Sequence, residues 1–397
     1  MFNLLTILFM VNSMVIGNIN QDELRKTADR LAKEIIIIDT HIDLPGRLEY
    51  KWEDISKPTG GDFDYPRAKS GGLDVAFMSI YVATRFENNG AKKEADSVIE
   101  IVEKILKEYP DKFARANSSK DVYQNFKDGK ISLPMGMENG SPLEGDLKNL
   151  KYFYDKGIRY ITLAHSKSNH ICDSSYDPDR KWKGLSPFGK EVVKEMNRLG
   201  MMIDVSHITD DAFYQVIELS KAPVVATHSS CRFFTPGWER NMSDEMIKAL
   251  AKNGGVIQIA FVSNFISQEI RDREAKNRAA IAEYLKANNI PANDKRAGEF
   301  NNQYWKENPI GYADVKDVVK HIDHVVKLVG IDYVGLGSDF DGAGDSFPYG
   351  LKDVSYFPNL IYELLLAGYS KDEIKKICGG NLLRVWSEVE KISRNFK

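Results

Sequence analysis

Cysteine is scarce in this chain: three in 397 residues (Cys172, Cys231 and Cys378). That is too few for a disulfide framework, and the odd number leaves at least one thiol unpaired within the chain. Charge of one sign is missing too. The net charge of −3 gives no electrostatic basis for binding nucleic acid or an anionic membrane, so neither is expected as a partner. Beyond the first 20 residues no apolar run is long enough to span a bilayer. The C-terminal EVEKISRNFK is charged where a lipid-anchor signal would need a hydrophobic tail, so no stable membrane anchor is expected. No internal repeat or low-complexity tract is visible. No glycine-rich phosphate loop follows the first apolar run, which argues against a dinucleotide-binding sheet.

The N-terminus carries an apolar stretch from Leu4 to about Ile16, then polar residues. Its length suits a secretory signal, residues 1–17, cut after Gly17, although no Lys or Arg precedes it. Export to a periplasmic or extracellular space is then expected. An uncleaved segment would leave the protein membrane-tethered or cytoplasmic. Residues 18–397 are read as a single domain.

After an amphipathic stretch, QDELRKTADRLAKE, eight apolar runs rich in β-branched residues follow. They cover 35–43, 75–83, 132–139, 158–165, 201–207, 224–230, 256–262 and 333–341. Helical patterns lie between most of them, several closed by Gly. Repeated alternation of this kind, with strands apolar on both faces, predicts an α/β fold: a TIM-like (β/α)8 barrel with an N-terminal helix. An open doubly wound sheet is the competing arrangement. The longest break, 263–314, is charged and contains a helical pattern, REAKNRAAIAEYLKANN. It is expected to be a helical insertion after strand 7, placed as a lid, a subunit contact or a solvated surface element.

Histidine is scarce as well, with seven residues, which makes its placement informative. Strand 1 ends in His41 and Asp43, strand 3 in Glu138, strands 4, 5 and 6 in His165, His207 and His228, and strand 8 in Asp339 and Asp341. In a barrel all these ends face one rim, where such enzymes place their active sites. His41 and Asp43 are two apart and point to one side of the strand. Imidazole nitrogen with carboxylate oxygen suits zinc or a similar divalent ion. His207 and His228 could hold a second ion, with Glu138 bridging the two. Two ions about 3.5–4 Å apart can hold a bridging hydroxide at neutral pH and polarise a carbonyl. Either Asp339 or Asp341 would be free to carry a proton to a leaving amine. Each of these residues alone is ordinarily structural. Their coincidence at successive strand ends is what points to metal-assisted hydrolysis of an amide-like bond.

The other candidates read differently. His321 and His324, three apart on a helix, are expected to be surface or helix-packing residues, and His170 a loop residue. Cys172 and Cys231 are expected to be plain loop thiols. Asp39 either orients a ligand or bonds the backbone. Arg232 and Arg240 lie in the loop after His228. Either could hold a substrate carboxylate in a fork, although a salt bridge to a loop carboxylate is the more ordinary use.

Taken together, DTHIDLP, MGMENG, LAHSKSN, GLSPFGKEVVKEMNRLGMMIDVSH, PVVATHSSCR, ERNMSD, VGLGSDFDG and NLLRVW resemble the membrane (renal) dipeptidase family, from about residue 35 to 390. That family comprises zinc enzymes on a TIM-like barrel. The resemblance implies two Zn2+ per chain, with His41 and Asp43 on one, His207 and His228 on the other, and Glu138 bridging. It implies His165 as the stabiliser of the oxyanion, Arg240 as the holder of the substrate carboxylate, and Asp339 as the proton-transfer acid. The implied substrates are free dipeptides, including some with a C-terminal D-residue, and the implied assembly is a homodimer. The alternatives are a related hydrolase of N-acyl amino acids or lactams, or a metal-bearing binding protein that has lost catalysis. The insertion leaves side-chain preference open.

Overall fold

The structure, a computed structural model, describes residues 21–87 and 89–396. The expected signal segment 1–17 lies outside them. Among the described residues, no helix is long and apolar enough to cross a membrane.

Ten strands form one parallel sheet: β1 Ile37–Ile42, β2 Leu73–Tyr81, β3 Phe113–Ala114, β4 Ile131–Ser132, β5 Met135–Glu138, β6 Ile158–Thr162, β7 Met202–Asp204, β8 Val225–Ser229, β9 Val256–Ile259 and β10 Val334–Leu336. The order runs β10-β9-β8-β7-β6-β5-β2, with β1 paired to β2. The two ends of this order meet. Ile42 bridges Phe340, the Asp43 N–H donates to the Phe340 carbonyl at 2.8 Å, and the Asp339 N–H donates to the His41 carbonyl at 3.1 Å. Eight strands thus match the eight apolar runs.

The run expected at 132–139 is broken in two. Pro134 has no N–H to give to a ladder. Its carbonyl still accepts from Met78 N–H at 2.8 Å, so β4 and β5 both pair with β2 and a short β3–β4 flap extends the sheet.

All six residues of β1 are buried, as a strand covered on both faces must be. The bottom of the sheet is filled from the C-terminal helix Asn381–Ser393. Trp386, fully buried, packs on Phe77 with ring centroids 5.3 Å apart, and Phe77 packs on Tyr160 at 5.5 Å. The interior is therefore a packed core whose uppermost layer is polar. The N-terminal helix Gln21–Glu34 exists as expected and buries Ala28, Leu31 and Ala32.

The insertion is helical. A short turn, Ser263–Ile266, leads into Gln268–Ala287 and then Lys295–Glu307. The two long helices are joined by Tyr284 stacked on Phe300 at 3.6 Å, and Asn277 ties the far end by donating to the Asn308 carbonyl at 2.7 Å.

Candidate metal centre and active site

The rim is assembled from strand ends and the turns just beyond them. His41 lies in β1, Glu138 is the last residue of β5, and His228 lies in β8. Asp43 starts the helix Leu44–Tyr50. His165, His207 and Asp339 fall past the ends of β6, β7 and β10. Asn139, His207, Asp339 and Asp341 all have positive φ, between 64° and 78°. Non-glycine residues seldom adopt that backbone, and its clustering at one rim marks strain held by the surroundings. Gly342 is also required here, because a Cβ on it would collide with the Asp43 carboxylate.

Glu138 sits at the centre, its two oxygens turned to different histidines. Oε2 lies 3.5 Å from His41 Nε2, which is itself 3.5 Å from Asp43 Oδ2. Oε1 lies 3.2 Å from His207 Nε2 and 3.3 Å from His228 Nε2, and those two nitrogens are 2.8 Å apart.

The protons can be placed on the histidines. The Tyr160 hydroxyl donates to the Thr40 carbonyl at 3.0 Å, so its oxygen accepts from His41 Nδ1–H at 2.9 Å. The Thr227 hydroxyl donates to Asp204 Oδ2 at 2.6 Å and so accepts from His228 Nδ1–H at 2.8 Å. Arg240 Nη2, always a donor, faces His207 Nε2 at 3.0 Å. In neutral form, His41 and His228 therefore each keep a bare Nε2 beside Glu138, and the Nε2 lone pair of His207 accepts from Arg240. Buried His41 Nε2 has no hydrogen-bond partner.

For His207 and His228 the electrostatics agree. Burial lowers His207 well below its ordinary value and His228 to about 4, so both are neutral at pH 7. Burial would lower His41 as well, yet Tyr160, Asp43 and Glu138 hold it well above its ordinary value. Burial pushes Glu138 up, but the surrounding histidines outweigh it and keep the group ionised. The place between these atoms calls for positive charge, and lone pairs converging on a carboxylate suit divalent cations. Three overlapping donor groups can be drawn: His41, Glu138 and His228; Glu138, His165 and His207; and His41, Asp43 and Asp339.

The two aspartates of GSDFDG separate clearly. Asp339 faces Asp43, and burial followed by that neighbouring charge raises it to about 7. Asp341 turns away, accepting from the Asp62 N–H at 2.7 Å and facing Arg47 Nε at 3.2 Å. His165 Nε2 lies 3.6 Å from Glu138 Oε1, and burial lowers its pKa, which keeps the ring neutral. Arg240 is 3% exposed and stands behind His207; its Nη2 also donates to the His228 carbonyl at 2.7 Å, and its Nε is without a partner. Arg232 instead forms a two-pronged salt bridge to Asp210 at 2.6 and 2.7 Å. Asp39 bonds backbone, accepting from the N–H groups of His41 and Ser338.

Above these groups opens a cavity of about 1390 Å3. Asp43, Glu138, His165, His207 and Asp339 reach its floor, and residues of the insertion, Arg273, Glu274, Arg278 and Trp305, stand in its wall. The insertion thus borders the site.

The model of the membrane dipeptidase family (peptidase family M19) matches residues 25–397. The chain belongs to the membrane dipeptidase family. It is a dipeptidase-family metallopeptidase, a hydrolase. Dipeptidase tcpJ of Claviceps purpurea (strain 20.1) is 31% identical over 360 residues, which is 88% of this chain and 75% of that protein. The crystal structure of the probable dipeptidase PvdM from Pseudomonas aeruginosa is 30% identical, with a TM-score of 0.83, covering 94% of this chain and 99% of that one. A metallopeptidase from Rhodobacter sphaeroides, solved with a phosphinate mimic of the dipeptide L-Ala-D-Ala, is 26% identical, with a TM-score of 0.72, covering 89% and 99%.

Sequence reasoning passed over Tyr160, Thr227 and Asp204, the residues that set the histidine protons in this family member. Asp204 also accepts from the Thr162 hydroxyl at 2.5 Å and from two backbone N–H groups. A signal was present: Asp204 is a carboxylate inside an apolar strand, MMIDV. The readings of His321, His324 and the cysteines match the geometry. His321 is buried in a helix, accepting from the Cys231 N–H at 3.0 Å, and His324 lies 2.7 Å from Asp244. All three cysteines are free.

Proposed function

We propose that the protein is a binuclear zinc dipeptidase that hydrolyses free dipeptides, including those with a C-terminal D-residue. The observation that carries this is Glu138, whose two oxygens face two separate sets of histidine lone pairs. The inclusion of C-terminal D-residues is supported by the ligand of the Rhodobacter relative. His41 and Asp43 would hold one ion, His207 and His228 the other, and Glu138 both. Zinc held there supplies Lewis acidity, activating water at neutral pH and polarising the scissile carbonyl.

The chain's own groups do the rest. Neutral His165 donates Nε2–H to the carbonyl oxygen as negative charge develops on it. Asp339, raised to about 7, can hold a proton at neutral pH and deliver it to the departing nitrogen as the C–N bond breaks. The new carboxylate keeps the water's oxygen. Arg240 takes the substrate's terminal carboxylate. Its Nη2 now lies 3.0 Å from His207 Nε2, a contact it would give up if that nitrogen held an ion. Export directed by residues 1–17 and a homodimeric assembly belong to the same reading.

The test is a hydrolysis assay on L,L- and L,D-dipeptides, after chelator stripping and again after zinc is restored. Tripeptides, N-acetylated dipeptides, N-acyl amino acids and a β-lactam are run beside them. Zinc-dependent cleavage of free dipeptides is expected, with two zinc ions per chain by elemental analysis. Cleavage confined to the acyl or lactam substrates would overturn the proposal.

A further inference from the structure

We propose that this site selects dipeptides bearing a large aromatic or apolar side chain, which an aromatic vestibule bordered by the insertion receives. The inference rests on the dipeptidase reading above and adds the substrate class.

The first observation is size. Pockets that enclose drug-sized ligands measure about 300–1,000 Å3, and this cavity measures about 1390 Å3. A dipeptide of small residues, anchored at the rim, would leave most of it filled with water.

The second is the lining away from the histidines. Trp305, Tyr312, Tyr349, Tyr50, Ile270 and Ile310 stand there. Tyr50 is 95% exposed and Tyr349 57% exposed. These are large apolar faces with no core to cover them. Tyr312 and Tyr349 meet edge to face at 5.2 Å; Lys352 Nζ caps one face of Tyr312 at 3.1 Å, and the exposed Tyr349 offers the ring surface for a third aromatic group. Trp305 satisfies its indole N–H on Asn301 at 3.1 Å, and the Arg278 guanidinium lies over its ring at 5.9 Å, as a cation does over an aromatic face. The helix that carries it buries only Ala297, so this tryptophan is not a core anchor.

The third is charge. Each cation at the wall already faces an acid. Arg273 pairs with Glu269, Arg278 with Glu274 at 2.6 Å, Arg85 with Glu94 at 4.0 Å, and Arg47 with Glu53. Lys352, beside Tyr312, pairs with Asp345 at 3.0 Å. A vestibule whose cations are already matched offers no free positive charge to an acidic substituent and rewards removal of apolar surface from water.

The experiment compares kcat/KM of the zinc-loaded full-length enzyme on Ala-Ala with that on Trp-Ala, Ala-Trp and naphthylalanyl-alanine. At least one bulky dipeptide is expected to exceed Ala-Ala by about tenfold, the worth of one aromatic contact with its buried area. Trp305→Ala and Tyr349→Ala should each shrink that ratio while leaving Ala-Ala unchanged. Circular dichroism confirms folding of each, and the Tyr349 variant stands alone if the Trp305 helix is lost. Equal rates on small and bulky dipeptides in the parent, or a preference that survives both changes, overturn this inference while the dipeptidase reading stands. Failure on Ala-Ala and bulky dipeptides alike removes both.

Discussion

The Tyr160 hydroxyl accepts a proton from His41 while giving its own to the Thr40 carbonyl, and that settles which His41 nitrogen is bare. Tyr160→Phe keeps the ring in the barrel core and removes the hydroxyl, both as the acceptor for His41 and as the donor to Thr40. The His41 ring is then free to turn or to carry its proton on Nε2. Zinc affinity at that corner should fall about 10–100-fold, read by competition with a chromophoric chelator; unchanged affinity would show that the phenol does not set the tautomer. Residues of this kind were illegible beforehand for a physical reason. His41 and Asp43 announce themselves by alternation along one strand. Tyr160 acts across the barrel, in a space that Gly136 opens opposite its ring, and no local pattern encodes that meeting. Spacing likewise left Asp339 and Asp341 equivalent, and only the backbone turn that sends Asp341 toward Arg47 tells them apart.

Among the elements, the strands were the most legible, because burial on both faces demands continuous β-branched runs. Their ends were less so. The runs continue to His165 and His207, but regular pairing stops at Thr162 and Asp204, where the chain turns its polar groups inward. The flap β3–β4 was missed because two-residue strands carry no periodicity. The helix Val315–Val329 shows how an element far from the rim supports it. It begins in a capping box, with Asp314 and Asp317 satisfying each other's backbone N–H groups. His321 then fastens Cys231, at the start of the Arg240 loop, and reaches Ile266, where the insertion begins, at 3.2 Å. Asp314→Ala should cost about 1 kcal/mol, seen as a lower urea midpoint with an unchanged slope. A change in slope instead would indicate that the insertion had come loose.

The whole molecule should register pH through Asp74, a carboxyl at the start of β2. Burial raises it to about 7, against the opposing pull of the Ile37 N–H and of Lys69 and Lys33. A carboxyl raised on folding contributes stability that is complete below its unfolded value, near 4. That contribution is lost as pH climbs through about 7. Asp74→Asn keeps the acceptor for Ile37 and removes the titration. Its melting temperature relative to the parent should therefore rise from pH 5 to pH 8 by a few °C, followed by thermal melts at both pH values. A difference that stays flat across that range would remove Asp74 as the cause.

The meeting of β1 with the segment after β10 has a temporal meaning as well. Asp39 accepts from the Ser338 N–H at 2.9 Å across 299 residues of sequence, and Asp43 cannot face Asp339 until that junction exists. Chain growth from one end therefore completes no part of that corner: both ends of the strand order must be present before it can close.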